Sequence, residues 1–308
     1  MIDVTLIGTS AAAPTPERAL SCMALKCGGH TLLFDCGDGT QSALMKAHVS
    51  PMSLSAVCLT HFHGDHIFGL PGLLQSMGLH GRTQPLLLIT PEEDGNLMQA
   101  LMTLSAPLPF EVRRIPLPEG GLRLRDAIPG FPAAARLYPI VTEHRVPSLG
   151  YRFALERPGR FLAERAEALG VPQPLWKRLQ RGESVDAGGR TITPQEVLGE
   201  ARRGLSVIYT GDTRPCEAIA EAARDADLLI MEATYAEDAQ EERAVQYGHS
   251  TFSATARLAA AAGARRLWLT HFSAMIDDPE RYLPCARVHF PGAVAGQDGM
   301  RITLRFEA

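Results

Sequence analysis

No apolar run in this 308-residue chain comes near the roughly 20 residues that a membrane-spanning helix needs, and the opening "MIDVTLIGTSAAAP" has no basic leader. The chain therefore reads as soluble, with no membrane partner. It also lacks CxxC motifs and any paired cysteine spacing. Its six cysteines are scattered, and Cys22, Cys36 and Cys58 sit in apolar, strand-like stretches, so buried reduced thiols and a cytoplasmic location are expected rather than a disulfide framework. Excess positive charge is missing too. A formal net charge of −4 argues against a protein that simply coats nucleic acid and leaves any polyanion to a local patch.

What the chain has in quantity is hydrophobic residues, 45% of the total, enough for one large domain spanning 1–308. The runs "DVTLIG", "HTLLFDC", "LSAVCLT", "PLLLIT", "LSVIYTG", "DLLIME" and "RLWLTH" read as strands, each bounded by turn-forming or polar residues. Between them, "GTQSALMKA", "PEEDGNLMQALMTL" and "STFSATARLAAAAG" carry apolar residues at helical spacing, the last with a Ser/Thr start and a stop at Gly263. Alternation of this kind predicts an α/β layered domain. The rhythm breaks from Tyr151 to Arg203, a charged, Pro- and Gly-rich stretch that predicts an inserted arm with one short helix and no buried strand.

Chemistry concentrates in "LTHFHGDH", where His61, His63, Asp65 and His66 fall within six positions directly after an apolar run. Four donors on a turn leaving a strand have no packing role, and their spacing is that of metal ligands. They suit two ions better than one, which requires donors from elsewhere. His144 in "VTEHRVPS", Asp212 in "YTGDTR" and His271 in "LTHFS" each stand near a predicted strand end, where sites of α/β sheets gather. Taken alone, His271 is an ordinary strand-end histidine. It gains weight because "LWLTHF" echoes the "VCLTHF" that ends at Phe62.

In this order, "THFHGDH", "DCGDGTQ", "GDT" and "THFS" resemble the metallo-β-lactamase superfamily of dinuclear zinc hydrolases. Within it, "LIGTSAAAPTPERA", "FDCGDGTQSALMKA", "HGDHIFGLPGLL", "IMEAT", "GHST" and the arm resemble the tRNase Z (ribonuclease Z) family. The resemblance implies a four-layer αββα sandwich with a basic arm that grips precursor tRNA, in a homodimer. It implies two zinc ions per chain, manganese or iron being compatible with the same donors: His61, His63 and His144 on one, Asp65, His66 and His271 on the other, Asp212 bridging. Asp35 would support the histidines by hydrogen bonding.

The activity implied is endonucleolytic removal of the 3′ trailer, in which a hydroxide generated between the metals attacks the phosphodiester and leaves a 3′-OH. Asp65 belongs to that catalytic centre. His249 in "YGHST" would protonate the departing oxygen, held by Glu232 in "IMEAT". Substrate contacts fall to Arg18 in the "PTPERAL" loop and to Trp176, Lys177, Arg178 and Arg181 in the arm, where Trp176 either stacks on a base or packs. Residues 151–203 carry ten Lys and Arg against seven acids, on a chain that is negative overall. The alternative is a hydrolase of the same superfamily acting on small phosphodiesters, sulfate esters or lactones. The arm departs from the family pattern at Gln173 and Lys177, which stand where glycines are usual, the loop at Ala19 where asparagine is usual, and the "MEAT" stretch at Met231 where histidine is usual.

Overall fold

The computed structural model describes residues 1–92 and 95–307. Every predicted strand is present, in two seven-stranded mixed sheets. The first runs Arg301–Leu304, Ile2–Gly8, Cys22–Cys27, His30–Phe34, Leu54–Cys58, Leu86–Ile89, Val112–Ile115. The second runs Ala293–Ala295, Leu267–Thr270, Leu228–Glu232, Arg202–Tyr209, Leu149–Arg157, Ala135–Val141, Leu122–Arg123.

Alternating side chains explain the layers. Along Ile2–Gly8, Ile2, Val4 and Leu6 enter the core between the sheets, where they meet Phe34, Tyr151, Phe153, Val207 and Tyr209. The opposite faces carry separate apolar sets. Leu33, Val57 and Leu88 pack under the helices Thr40–Lys46, Leu70–Leu79 and Gly95–Ser105. Ile208, Leu229 and Leu269 pack under Glu217–Ala222, Phe252–Ala261 and Leu283–His289. The result is the expected four-layer αββα sandwich. The three predicted helices lie within these layers. Phe252–Ala261 begins as read, with the Thr251 hydroxyl accepting from Ala254 N. The Glu93 and Asp94 that open the second predicted helix lie outside the described residues.

The arm needs correcting at its boundaries and in its contents. Tyr151 to Arg157 are not part of it: they form most of the strand Leu149–Arg157, hydrogen-bonded on both edges in the middle of the second sheet. Arg202 and Arg203 likewise begin the next strand. What leaves the sandwich is 158–201, which holds three helices (Ala163–Ala168, Gln173–Gln180, Pro194–Val197) and the hairpin Val185–Ala187 with Arg190–Ile192. These close over a small core of their own, built on Ala166, Val171, Leu179, Val185, Ile192 and Val197. The charge moves with the boundary. Residues 158–201 hold six Lys and Arg and six acids, so the excess of the wider segment belongs to Arg152, Arg157, Arg202 and Arg203 on the sheet. The arm as a whole is therefore not basic; its exposed cations concentrate at Lys177, Arg178 and Arg181.

Candidate metal and proton-transfer site

Three loops must meet for the site to exist, and small residues let them. A Cβ on Gly37 would fall 1.9 Å from the Asp65 carbonyl oxygen, so only glycine lets the "DCGDG" loop lie against the His61–His66 turn. The two are hydrogen-bonded there, Cys36 N to His66 O at 2.8 Å and Gly69 N to Cys36 O at 2.9 Å. A Cβ on Gly211 would fall 2.7 Å from Thr60 Cβ, so the same reasoning brings the Asp212 loop of the second sheet against the first. The sheets are also tied by Leu149 N to Thr60 O at 2.9 Å and by Tyr151 OH to Leu59 O.

Within this junction His61, His66, His144 and His271 are each held by one nitrogen and present the other inward. His144 Nδ1 donates to Gly248 O at 2.8 Å, His66 Nδ1 to Asp35 Oδ2 at 2.8 Å, and Nδ1 of His61 and His271 meet the hydroxyls of Thr60 and Thr234 at 3.0 and 2.9 Å. Their Nε2 atoms point to a common interior. His63 is reversed, its Nδ1 standing 3.0 Å from His61 Nε2 and 3.2 Å from His144 Nε2. Asp212 lies between, Oδ1 3.0 Å from His271 Nε2 and 3.3 Å from His66 Nε2, Oδ2 3.7 Å from His61 Nε2. Asp65 Oδ2 closes the far side, 3.5 Å from His66 Nε2 and 3.6 Å from His271 Nε2.

Among the described residues two donor groups share Asp212, His61, His63 and His144 with it and Asp65, His66 and His271 with it, and a third joins Glu232 and His249 to His271. His66 Nε2, Asp212 Oδ1 and His271 Nε2 are buried and make no hydrogen bond, near one another but not aligned as donor and acceptor. Buried polar atoms left this way are costly unless something else satisfies them, and convergent nitrogens and carboxylate oxygens are what a divalent cation takes. Burial, followed by the neighbouring His66, pushes the pKa of His61 well down, which favours the neutral ring a ligand requires. Burial opposes ionisation of Asp212, but the surrounding His271 and His66 outweigh it and hold its carboxyl well below the usual range.

Asp35, at the end of the strand His30–Phe34, accepts from Thr60 N, the Thr60 hydroxyl, His66 Nδ1 and Tyr209 OH. It does so with φ at +61°, and His271 sits at +56°. Left-handed backbone at a residue other than glycine costs on the order of 1–3 kcal/mol and is retained where surrounding contacts fix it. Both "LTHF" strand ends reach this site, one from each sheet, His61 in one donor group and His271 in the other.

Beside the second group stands His249, its Nδ1 2.7 Å from Glu232 Oε1. Glu232 is 1% exposed and also accepts from the backbone amides of Thr213, Thr234 and Ser250 and from the Thr234 hydroxyl. Burial works against the imidazolium of His249, yet the Glu232 carboxylate overrides it and raises the pKa to about 9. Thr60, Thr234, Tyr209 and the Gly248 carbonyl went unread in the sequence. All four lie within quoted motifs, "LTHF", "YTGDTR", "MEAT" and "YGHST", which was the available signal. Met231 of "MEAT" is buried in the core under the outer helices of the second sheet.

The remaining candidates divide. Arg18 does not face open surface: it is 8% exposed, and its guanidinium donates to the carbonyls of Ser273, Ile276 and Asp277, bracing its loop against the segment after His271. Trp176 packs, with Nε1 donating to Val171 O at 2.8 Å and its ring 5.2 Å from that of Phe161. Lys177, Arg178 and Arg181 are exposed, Arg178 pairing with Glu183 at 3.1 Å.

Known proteins resemble this chain along its whole length. It is 41% identical over 307 residues to the ribonuclease Z of Agathobacter rectalis, covering 100% of this chain and 99% of that one. It is likewise 41% identical over 312 residues to the ribonuclease Z of Methanosarcina acetivorans, with 99% of each chain covered. Among solved structures, human tRNase Z, short form, superposes with a TM-score of 0.68 at 28% identity, covering 99% of this chain and 100% of that one. The family model described as beta-lactamase superfamily domain matches residues 172–272, and one described as anti-Pycsar protein Apyc1 matches residues 2–106.

Proposed function

The chain belongs to the ribonuclease Z family of metallo-β-lactamase-fold hydrolases, and from that premise we propose that it removes the 3′ trailer of precursor tRNA by cutting one phosphodiester. The observation that carries the reading is the placement of the His249–Glu232 pair beside two donor groups that share Asp212. His61, His63 and His144 would hold one divalent ion and Asp65, His66 and His271 the other, with Asp212 common to both. A sulfur-free His/Asp set suits zinc, manganese or iron. Ions bound there supply Lewis-acid activation of a water and neutralise charge on the phosphodiester.

The protein's own residues do the rest. Asp35, Thr60 and Thr234 fix ring orientation, so the inward nitrogens are in place before substrate arrives. His249 gives its proton to the 3′-oxygen as the P–O3′ bond breaks, leaving a 3′-OH on the tRNA and the phosphate on the trailer. Glu232 keeps that proton available through the neutral range and, by holding Nδ1, aims the other ring nitrogen outward. Asp65 is placed with the second donor group and is anchored by Ala12 N at 2.9 Å.

Exposed Lys177, Arg178 and Arg181 are the arm residues available to tRNA phosphates, with Trp176 shaping the helix that presents them and Arg18 stiffening a loop near the site. The reading includes a cytoplasmic homodimer. Six free cysteines, four of them buried, support a reducing compartment, and exposed Phe68 and Leu79, flanking and ending the helix Leu70–Leu79, are apolar surface of the kind a second copy covers.

Incubation with an unprocessed precursor tRNA, followed by mapping of the new ends, tests the function. A mature 3′-OH terminus and a 5′-phosphorylated trailer are expected. An intact precursor together with rapid turnover of small phosphodiesters would replace this reading with the small-substrate one.

A further inference from the structure

Around the outer side of His249 runs a ladder of rings and guanidinium groups that the metal and proton-transfer residues do not use. The Tyr235 ring centroid is 6.3 Å from that of His249. Arg243 lies over both Tyr235 and Tyr247, at 6.0 and 5.9 Å, and Arg145 lies over Tyr247 at 5.2 Å. The chain path explains the grouping. Arg145 follows His144, whose ring is 5.0 Å from that of His249, and Tyr247 ends the helix Glu241–Tyr247 just before Gly248 and His249.

The charges here are free. Glu143 is taken by Arg214 at 2.6 Å and Glu241 by Arg257 at 2.6 Å, and among the described residues neither Arg145 nor Arg243 has a carboxylate within ion-pair distance. Glu237, Asp238 and Glu242 lie on the same segment without pairing to either. Arg145, Arg243 and Tyr247 are all exposed. Unpaired guanidinium groups beside the half-buried Tyr235 and the exposed Tyr247 offer what a nucleotide binds, a π face for the base and cations for phosphate.

Which nucleotide follows from the chemistry of His249. The oxygen it protonates is the 3′-oxygen of the last nucleotide retained on the tRNA, so that nucleotide's sugar stands at His249. Its base then lies beside that ring, on the side where the nearest rung of the ladder, Tyr235, has its centroid 6.3 Å from that of His249, and Tyr247 is joined to Tyr235 through Arg243. We infer that Tyr247, Arg243 and Arg145 form the subsite for the last retained nucleotide, with the base stacked on Tyr247 and the guanidinium groups on its 5′ phosphate and the phosphate before it. This rests on the tRNA-processing reading, and it assigns the ladder to the leaving side of the cut rather than to the trailer.

The test compares the metal-loaded wild type with Tyr247→Ala, Tyr247→Trp and Arg243→Gln on two precursors, one intact and one abasic at the last retained position. Loss of base stacking is worth about tenfold or more in kcat/KM, so Tyr247→Ala should lose that much on the intact precursor and little further on the abasic one. Tyr247→Trp should retain discrimination between the two. Arg243→Gln should weaken both alike and reduce the salt slope by about one. Equal losses on intact and abasic precursors, or no loss, with wild-type cleavage normal, overturn the subsite alone. A wild type that leaves precursor tRNA uncut overturns the tRNA reading and the subsite with it.

Discussion

The hydroxyl of Thr234 lies 2.9 Å from Nδ1 of His271. The same oxygen is 2.7 Å from Glu232 Oε2, and an ionised carboxylate only accepts, so the hydroxyl proton goes to Glu232 and its lone pair is left for the His271 N–H. That fixes His271 with its free nitrogen toward Asp212, and it links a donor of the metal group to the carboxylate that holds His249. Thr234→Val keeps the side-chain shape but removes the hydroxyl. Titration of the metal-free variant should show the second ion bound about 10–100-fold more weakly, with Thr234→Ser close to wild type. Unchanged affinity in the valine variant would mean that the hydroxyl does not orient the ring.

Asp212 is the one residue common to both donor groups. Purified wild type should carry close to two ions per chain by elemental analysis, and Asp212→Ala should carry fewer and lose most activity. A wild type fully active with a single ion would rule out the paired arrangement.

His249 touches neither donor group through its hydrogen-bonded nitrogen, which is committed to Glu232. His249→Ala should therefore keep its metal while precursor cleavage falls by roughly 10²–10⁴-fold, the range for loss of a general acid. Bis(p-nitrophenyl) phosphate, whose leaving group needs no proton, should suffer much less. Matching losses on both substrates would assign His249 some other role.

At the neck of the arm the chain closes on itself, with Gly199 N bonded to Arg160 O at 2.8 Å and Leu162 N to Val197 O at 2.8 Å. Removing the whole unit between Arg160 and Gly199 and joining the ends with a short Gly/Ser linker spares the sandwich, whereas cutting part of it would open the arm's own core. The shortened protein should keep metal content and small-phosphodiester turnover, lose precursor cleavage mainly through KM, and show a flatter salt dependence. Equal decline on both substrates with metal retained would argue against a role of the arm in holding tRNA.

The site was largely legible because its residues have no other reason to stand together. Four donors in six positions at 61–66 announce themselves, and His144, Asp212 and His271 follow from their strand ends. The arm was misjudged for a physical reason. In "YRFALER" the period of two is present: Tyr151, Phe153 and Leu155 enter the core between the sheets while Arg152, stacked over Tyr138 at 5.8 Å, and Glu156 point away. Charge on the outer face hid an internal strand and lent the arm a basicity that belongs to the sheet. The contacts of Arg18 were hidden in a related way, since a loop arginine looks free until the carbonyls it serves, more than 250 residues onward, are seen.

Because His61, His63, Asp65 and His66 come from the first sheet and His144, Asp212 and His271 from the second, any cation bound by them is a rivet through the seam of the sandwich. Neither half of the chain owns a complete ligand set, so the bound ion recognises only the assembled molecule. An ion present at 1,000 times its dissociation constant adds about 4 kcal/mol to folding stability, comparable with much of what a domain has in total. Metal supply would then bear on how long the enzyme lasts as well as on whether it cuts.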